Sequence, residues 1–255
     1  MMSVTVSIVM PSFNSEKYIE DAITSVCLQT FEEWELLLVD DASDDRTISL
    51  AQRTLLSYGH SQRARLFSNP KRCGPAFSRN RAIREARGRW IAFLDSDDLW
   101  TPNKLEMQLP MFDKPEVRLV CGGYSVVDGD GKEIGTRYVP PLQANYTDML
   151  YLNTVGCLTA IYDSERTGKV TMPPLPSRQD YALWLDLIRP HGLVHGLPCL
   201  VGKYRIHGNS VSSNKLAAVY WQYHLYRSYE NLPVLKSLYC LWNHLIKKRT
   251  KYSLS

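Results

Sequence analysis

The chain has 255 residues, 30 Lys plus Arg against 26 Asp plus Glu, and 44% hydrophobic residues. This length suits one large domain or two small ones, and the apolar and aromatic content excludes wholesale disorder. The net charge of +4 is unevenly distributed, because no acidic residue follows Glu230 and the remaining C-terminal segment alone carries +5. The first 230 residues sum to −1. Such a body lacks the clustered cations that nucleic acid binding requires, so we expect no nucleic acid partner.

The cysteines and the N-terminal residues indicate the cellular compartment in which the protein is expected. The six cysteines include no CxxC pair, so neither a zinc knuckle nor a thioredoxin motif is predicted. The first residues lack a basic segment followed by a long apolar one, and no run of about 18 apolar residues occurs. We therefore expect a cytoplasmic protein with reduced thiols and no membrane-spanning helix.

The first hundred residues alternate between two hydrophobic periods. Continuous apolar runs predict strands over 4–10, 36–39, 65–67 and 90–94. Apolar residues at helical spacing predict helices over 18–29, 46–57 and 76–86. Asn14 or Ser15 is expected to N-cap the first helix. Buried strands alternating with helices predict a parallel sheet covered on both faces, with ligands beyond the carboxyl ends of its strands.

After residue 115 the pattern changes to a mixture of strands and helices. Strands are expected over 117–127 and 156–162, a hairpin turn over 128–131, a helix over 180–188 and an extended segment over 200–206. Residues 216–249 predict two helical segments split by Pro233. No linker is long or polar enough to separate this α+β half from the first sheet.

Acidic side chains follow two of the predicted strands. Asp95, Asp97 and Asp98 come directly after the strand over 90–94. Carboxylates this close repel one another unless a cation or hydrogen bonds compensate, and Mg²⁺ or Mn²⁺ prefers a few carboxylates together with phosphate oxygens. The alternative is that the segment merely caps the structure that follows it. Asp40 and Asp41 likewise either form an Asx turn with the following residues or hydrogen-bond the base or ribose of a ligand.

Arg79 lies near the start of a predicted helix that follows a Gly-Pro loop. Helix N-termini and arginines both favour phosphates, whereas the alternative is a solvated basic face, since other arginines follow. No G-x-G-x-x-G follows the first strand and no G-K-[ST] loop is present. These absences argue against a dinucleotide-binding dehydrogenase and a P-loop enzyme.

Four segments in fixed order now form a recognisable pattern. They are VSIVMPSFN at 6–14, LVDDAS at 38–43, Gly74 with SRN at 78–80, and FLDSDD at 93–98. Their succession resembles family 2 glycosyltransferases of the bacterial surface-polysaccharide type. The segments QDYALWL at 179–185 and YRIHGNS at 204–210 match more loosely, so the resemblance covers roughly residues 4–212.

The resemblance implies an α/β, GT-A-like fold. It has a mostly parallel central sheet with flanking helices, an α+β acceptor-side half and a helical C-terminal tail. In this chain the glycosyltransferase domain would cover residues 1–215, divided into a nucleotide-binding half over 1–115 and an acceptor half over 116–215. Residues 216–255 would form the basic, aromatic tail.

The resemblance also implies the donor and the residues that bind it. The donor would be a UDP-sugar, held with Mg²⁺ or Mn²⁺. Pro11, Phe13 and Asn14 would line the nucleoside pocket, Asp41 with Asp40 would contact the base, and Arg79 would face the base or the diphosphate. In the D-x-D element, Asp95 would contribute to nucleotide-sugar binding, Asp97 would contact ribose or metal, and Asp98 would contact metal. His207 would complete the metal shell, its alternative being an ordinary histidine at a strand end.

Asp180 matches the general base of the family. Inverting transfer needs a carboxylate that takes the proton of the acceptor hydroxyl as its oxygen attacks the anomeric carbon. Gln179 replaces the glutamate usual before this aspartate, and Phe13 replaces a commoner tyrosine while keeping a ring that can stack on a base. The alternative for Asp180 is an N-cap of the helix over 180–188.

The tail combines apolar, aromatic and basic residues without any acid. In its second helix, Leu235, Leu238, Tyr239, Trp242, Leu245 and Ile246 fall on one face, and Lys247, Lys248 and Arg249 follow. This pattern predicts peripheral binding to an anionic membrane at the inner face of the cell. Together with the resemblance, it implies an acceptor linked to polyprenyl diphosphate. The alternative is a helix packed on the catalytic domain.

The expected activity is therefore metal-dependent, inverting transfer from a UDP-sugar to a lipid-linked or surface-polysaccharide acceptor. A sugar nucleotidyltransferase is the enzymatic alternative, although residues 10–17 lack the glycine-rich loop such an enzyme would use. A catalytically inactive nucleotide-sugar-binding subunit is the other. The donor sugar and the linkage are not predicted.

Overall fold

The computed structural model describes residues 4–189, 191–206 and 215–251. Within these ranges the strands are β1 Val6–Ser12, β2 Trp34–Asp40, β3 Ala64–Ser68, β4 Trp90–Phe93, β5 Leu99–Trp100, β6 Val117–Val127, β7 Glu133–Tyr138, β8 Gln143–Ala144, β9 Ile161–Asp163 and β10 Leu193–Arg205. The helices are α1 Ile19–Cys27, α2 Thr47–Ser57, α3 Pro75–Glu85, α4 Lys104–Gln108, α5 Tyr146–Tyr151, α6 Ser164–Thr167, α7 Gln179–Ile188, α8 Lys215–His224 and α9 Val234–Lys251.

All the strands belong to one sheet, in the order β3-β2-β1-β4-β9-β6-β10-β5, with β7 beside β6 and β8 beside β10. Its first half is parallel, because β1 pairs in parallel with β2 and β4, and β2 with β3. Beyond β4 the sheet is mixed: β9 runs antiparallel to β4 and β6, and β10 runs parallel to β6. The parallel sheet predicted for the first hundred residues is confirmed, and the second half is the expected mixture.

The apolar strands build two core layers, one on each face of the sheet. Successive side chains of a strand point to opposite faces, so Ile8 and Met10 of β1 pack with α1 and α2, whereas Val9 packs with α3 and α7. Continuous apolar runs in β1 and β2 are therefore required, since both faces of these strands are buried.

The predicted N-cap of α1 is wrong. The helix begins at Ile19, and Tyr18 occupies the N-cap position without a side-chain hydrogen bond. The side chains of the two predicted capping residues are engaged elsewhere: the Asn14 side-chain oxygen accepts the Asp44 amide at 3.1 Å, and the Ser15 hydroxyl lies 2.7 Å from that of Ser96. Contacts between loops that are distant in sequence thus replace the local cap.

Two predicted strand boundaries also differ from the structure. β1 continues through Pro11 and Ser12, because its pairing with β2 extends to Asp40 while its pairing with β4 ends at Val9. A proline is tolerated where a strand has a neighbour on one side only. The strand expected over 156–162 is shorter, since a 3₁₀ turn at Cys157–Thr159 precedes β9.

The C-terminal helices pack on each other and α9 packs on α5, and the predicted break at Pro233 is confirmed. After α8, a π-helical turn at Leu225–Tyr229 buries Tyr226, whose hydroxyl donates to the Leu150 carbonyl at 2.5 Å. The buried carboxylate of Glu230 accepts the Tyr146 hydroxyl and, at 2.6 Å, the Arg189 guanidinium. No helix of the described ranges has the length and apolarity needed to cross a bilayer.

The polarity of α9 is the reverse of that usual for a surface helix, because many of its large apolar residues are exposed. Its buried inner face presents Ser237, Cys240 and His244 to the domain. Its exposed outer face carries the apolar set predicted from the sequence: Leu235, Leu238, Tyr239, Trp242, Leu245 and Ile246. The helix therefore packs through Leu241 and through small and polar residues, and it leaves six large apolar residues outside.

A substitution at Gly88 tests how tightly the chain packs against residues 5–7 at the start of β1. A Cβ added at this position would lie 2.8 Å from backbone atoms of residues 5–7, which cannot move aside as a flexible side chain would. We expect Gly88→Ala to lower the free energy of unfolding by about 1–3 kcal/mol in urea titration. Gly129→Ala is the matched control, because the nearest atoms there are side-chain ends at 3.6 Å. Equal stability of the two variants would contradict this account.

Candidate active site

The loops that follow β1, β2 and β4 meet at one edge of the sheet, as the sequence predicts. The Ser12 hydroxyl at the end of β1 donates to Asp40 at the end of β2, at 3.0 Å. The hydroxyl of Ser15 lies 2.7 Å from that of Ser96 in the acidic segment after β4. These contacts join the loops at the carboxyl ends of the parallel strands, where α/β sheets bind ligands, and we call this region the cleft.

Asp40 organises the loop after β2. Its carboxylate accepts the backbone amide of Ser43 at 2.9 Å and the Ser43 hydroxyl at 2.5 Å. Ser43 in turn accepts the amide of Asn14 at 2.9 Å, so the nucleoside-pocket segment and the loop after β2 hold each other. Within the protein, Asp40 therefore forms the predicted Asx turn with Ser43.

Asp41 anchors the loop that leads into α3. Its Oδ1 accepts the Asn69 side-chain amide at 2.8 Å and the Cys73 amide at 2.9 Å, and its Oδ2 accepts the Gly74 amide at 2.7 Å. Gly74 has φ +90°, which favours glycine. Burial alone would raise the pKa of Asp41, but these hydrogen bonds hold it below the usual value. The buried carboxylate therefore stays ionised.

The three predicted nucleoside-pocket residues lie along the wall formed by β1 and the loop after it. Pro11 is buried within β1, Phe13 is partly exposed and Asn14 is exposed. The Arg72 guanidinium lies over the Phe13 ring, 4.1 Å from its centroid. The ring therefore has a cation on one face, which draws the loop before α3 towards β1.

Arg79 projects from α3 into the cleft and pairs with Asp95. Burial alone would lower the pKa of the Arg79 guanidinium, but the Asp95 carboxylate raises it above the usual value. Its Nε is buried and has no hydrogen-bond partner in the described residues. The Nε–H of this charged guanidinium therefore has no acceptor among the described residues of the cleft. A residue on a solvated basic face would instead donate its N–H groups to water, so Arg79 does not belong to such a face.

The acidic segment after β4 turns tightly, with the Asp98 amide donating to the Asp95 carbonyl at 3.1 Å. Asp95 and Asp97 are partly exposed, whereas Asp98 is buried and accepts the backbone amide of Arg205 at 2.9 Å. Burial, followed by the charges of Asp97 and Asp95, raises the pKa of Asp98 well above its usual value. The segment therefore concentrates negative charge at a cost that a cation would offset.

Asp180 lies in the first turn of α7. Arg178 holds the N-cap position with φ +66° and makes no side-chain cap, so Asp180 is not the capping residue of this helix. Its charge acts on the Arg79 guanidinium and on the Cys157 thiol. Burial raises the pKa of Cys157, the Arg79 guanidinium opposes this rise, and the charges of Asp95 and Asp180 add to it.

His207 lies outside the described residues, and nothing tests its predicted role. Across residues 4–189, 191–206 and 215–251, no three His, Cys, Asp or Glu side chains form a cluster with metal-ligand spacing. The acidic segment nevertheless offers oxygen donors of the kind that Mg²⁺ and Mn²⁺ prefer.

The structure adds residues that the sequence analysis did not assign. Arg205 is buried and donates through Nε to the Asp97 carbonyl at 2.8 Å, and Asn69 and Arg72 position Asp41 and Phe13. Arg205 had a signal, since it lies in the segment YRIHGNS that supports the resemblance. Cys157 had none, because no local pattern surrounds it.

The fold has close counterparts among solved structures. The S. aureus TarS fragment 1–349 in complex with UDP-GlcNAc superimposes with a TM-score of 0.69 at 20% identity, covering 93% of this chain and 70% of that one. The Pyrobaculum calidifontis mannosyltransferase PcManGT, in complex with GDP-Man and Mn²⁺, gives 0.68 at 17% identity over 92% and 69%. The predicted GT-A-like α/β fold is confirmed.

Sequence relatives match over nearly the whole chain. TuaG of Bacillus subtilis, a glycosyltransferase assigned to teichuronic acid biosynthesis, is 36% identical over 96% of this chain and 97% of its own length. WfgD of Escherichia coli, a UDP-Glc:alpha-D-GlcNAc-diphosphoundecaprenol beta-1,3-glucosyltransferase, is 35% identical over 94% and 92%. The profile described as "Glycosyl transferase family 2" matches residues 7–162. The chain therefore belongs to glycosyl transferase family 2 and is a glycosyltransferase.

Proposed function

We propose that this enzyme transfers a sugar from a UDP-sugar to a hydroxyl of a lipid-linked or surface-polysaccharide acceptor, with inversion and with Mg²⁺ or Mn²⁺. The observation that carries this proposal is one cleft that combines the unsatisfied guanidinium of Arg79, the acidic segment after β4 and the carboxylate of Asp180. The names of TuaG and WfgD support the acceptor class, and the UDP-GlcNAc complex of TarS supports the donor.

In this proposal the nucleoside lies against Pro11, Phe13 and Asn14, and its base reaches Asp41. A carboxylate oxygen accepts two hydrogen bonds, and Oδ2 of Asp41 accepts only the Gly74 amide among the described residues. Its second lone pair would receive the N–H of a uracil-type imide. Asp40 supports this pocket through Ser43.

Asp97 is the proposed direct metal ligand, because it is partly exposed while Asp98 is buried against the Arg205 amide. The buried Asp98 carboxylate would add negative charge near the metal site without binding the metal directly. Asp95 would keep the Arg79 guanidinium directed at the diphosphate. His207 remains a proposed ligand. The bound metal would neutralise the charge that develops on the departing UDP.

Asp180 is the proposed general base. As the acceptor oxygen forms its bond to the anomeric carbon, its proton passes to the Asp180 carboxylate and the bond from that carbon to the diphosphate oxygen breaks on the opposite face. The products are the inverted glycoside and UDP. Asp180 is not consumed by capping α7, so its oxygens remain available to the acceptor.

We also propose that the outer face of α9 docks the enzyme on an anionic membrane, at the inner face of the cell membrane. Leu235 is 82% exposed and Trp242 is 65% exposed, although both are large apolar side chains. The exposed Lys247 follows these residues on the same helix. Aromatic and apolar side chains flanked by cations suit the interface of an anionic bilayer, which contributes about 1 kcal/mol for each nearby lysine.

The donor site is tested by thermal unfolding with UDP. We expect UDP to raise the Tm, and Mn²⁺ to enlarge the rise, because Asp97 would hold a metal ion that offsets the charge of the diphosphate. Asp97→Asn should abolish the metal-dependent part. Asp113→Asn, which alters an exposed aspartate outside the cleft, should retain it. Absence of any UDP effect at millimolar concentration would refute the donor assignment.

Substitution of Asp180 separates chemistry from donor binding. Asp180→Asn is expected to leave the UDP-induced Tm shift intact while lowering kcat for sugar transfer by about 10²–10⁴, the usual contribution of a positioned base. Asp113→Asn again provides the matched loss of one carboxylate. Unchanged turnover in Asp180→Asn would exclude Asp180 as the base. If the wild type binds UDP but transfers no sugar in a screen of donors and acceptors, the alternative of a catalytically inactive subunit is favoured.

Membrane docking is tested by co-sedimentation with vesicles containing phosphatidylglycerol. The double variant Leu235→Ser with Trp242→Ser should remain in the supernatant, because it removes apolar area that would enter the interface. Leu56→Ser is the control, since Leu56 is a highly exposed leucine on α2, at 71% exposure against 82% for Leu235. Sedimentation of the double variant at the wild-type level would exclude the outer face of α9 as the docking surface.

A further inference from the structure

The start of α7 lies against the last turns of α9. The Tyr181 ring of α7 stacks on the His244 ring of α9, with centroids 6.3 Å apart and planes at 24°. The α9 residue four positions after His244 is Lys248, which occupies the same inner face one turn further along. Arg178, three residues before Tyr181, holds the N-cap position of α7. The stacking contact therefore brings the inner-face lysine of α9 to the side of the α7 N-terminus.

Arg178 is fixed in place but incompletely satisfied. One of its terminal nitrogens donates to the Ala218 carbonyl of α8 at 3.3 Å. Its Nε is buried and lacks a hydrogen-bond partner in the part of the chain that the structure describes. A guanidinium that contacts α8 and still has an unused N–H can donate a hydrogen bond to an oxygen atom of a ligand.

Arg178 and Lys248 bring two positive charges to neighbouring ends of α7 and α9, and neither charge is ion-paired among the described residues. Loss of hydration, together with the Arg178 guanidinium, lowers the pKa of Lys248. Neither side chain forms an ion pair with a carboxylate within residues 4–189, 191–206 and 215–251. Like charges at short range repel, so an anion bound between them would be stabilised by both.

We propose that Arg178 and Lys248 bind the diphosphate of a lipid-linked saccharide acceptor, an inference that rests on the proposed function. The position fits that ligand, because Arg178 and Asp180 are two residues apart and their Cα atoms lie within about 7 Å. In such an acceptor the accepting hydroxyl and the diphosphate are separated by a short saccharide. One end of the acceptor would meet the base while the other meets the cation pair.

The donor diphosphate is assigned to a different place. It would lie near Arg79 and the acidic segment, at the ends of the parallel strands, whereas Arg178 and Lys248 belong to α7 and α9. The outer face of α9 is the proposed membrane contact, and the exposed Lys248 near the C-terminal end of this helix is where a lipid-borne anion would arrive. Arg178 would contribute paired donors suited to phosphate oxygens, and Lys248 a point charge.

The direct test uses inorganic pyrophosphate as the probe. Its binding is followed by thermal unfolding with saturating UDP and with Mg²⁺ in excess over both ligands. We expect pyrophosphate to raise the Tm of the wild type further, and Arg178→Gln and Lys248→Gln each to weaken the apparent Kd about tenfold, the effect of one charge-assisted hydrogen bond. Lys236→Gln, which removes an exposed lysine elsewhere on α9, should bind as the wild type does. Equal binding by wild type and the double Arg178→Gln, Lys248→Gln variant overturns the proposal.

A second measurement distinguishes the acceptor diphosphate from a phospholipid headgroup. Transfer is assayed in non-ionic detergent, without phospholipid, to N-acetylglucosamine linked through diphosphate to an undecyl chain and to undecyl N-acetylglucosaminide. The wild-type preference for the diphosphate-linked acceptor, as a ratio of kcat/KM values, should fall about tenfold in either variant and persist in Lys236→Gln. An unchanged ratio would overturn the proposal.

The two tests also separate this inference from the proposed function. Lys248 has an exposed side chain, so Lys248→Gln is expected to fold even where Arg178→Gln is unstable. If UDP fails to stabilise the wild type, the donor assignment fails, but the comparison of pyrophosphate binding between wild type and variants still decides on the cation pair.

Discussion

The buried guanidinium of Arg205 is the interaction on which the cleft depends. It joins the Asp97 carbonyl at 2.8 Å, the Gly129 carbonyl after β6 at 3.0 Å and the Asp21 carboxylate of α1 at 3.1 Å. The backbone amide of the same residue supports Asp98. One side chain at the end of β10 therefore links the parallel half of the sheet, the mixed half and the acidic segment. Without that charge, the carboxylates after β4 would repel one another with less compensation.

The remaining charges in the cleft follow the same logic of local compensation. Asp41 is buried but accepts several hydrogen bonds, so it stays ionised and holds the loop before α3. Arg79 is buried but paired with Asp95, so it stays charged and keeps one N–H unused. Each side chain is fixed by protein contacts before any ligand arrives, which reduces the ordering required on binding.

Sequence reasoning located the strands of the parallel half and the order of the site segments, because both depend on local signals. Apolar runs identify buried strands, and aspartates at their ends must share one edge of a parallel sheet. It did not locate the N-cap of α1, since the side chains of Asn14 and Ser15 bond to residues about 30 and 80 positions away. It also assigned no role to Arg205, whose partners come from three separate parts of the chain. Such contacts depend on tertiary packing, which periodicity does not encode.

The reversed polarity of α9 has a consequence for how the sequence can vary. Folding depends on its inner face, where Ser237, Cys240 and His244 are buried, and the outer face makes little contribution to the core. Substitutions on the outer face therefore escape the packing constraint that conserves the volume of interior residues. The chemistry of that outer surface can therefore change while the catalytic body stays the same. One helix thus separates the residues that the core requires from the residues that form its outer surface.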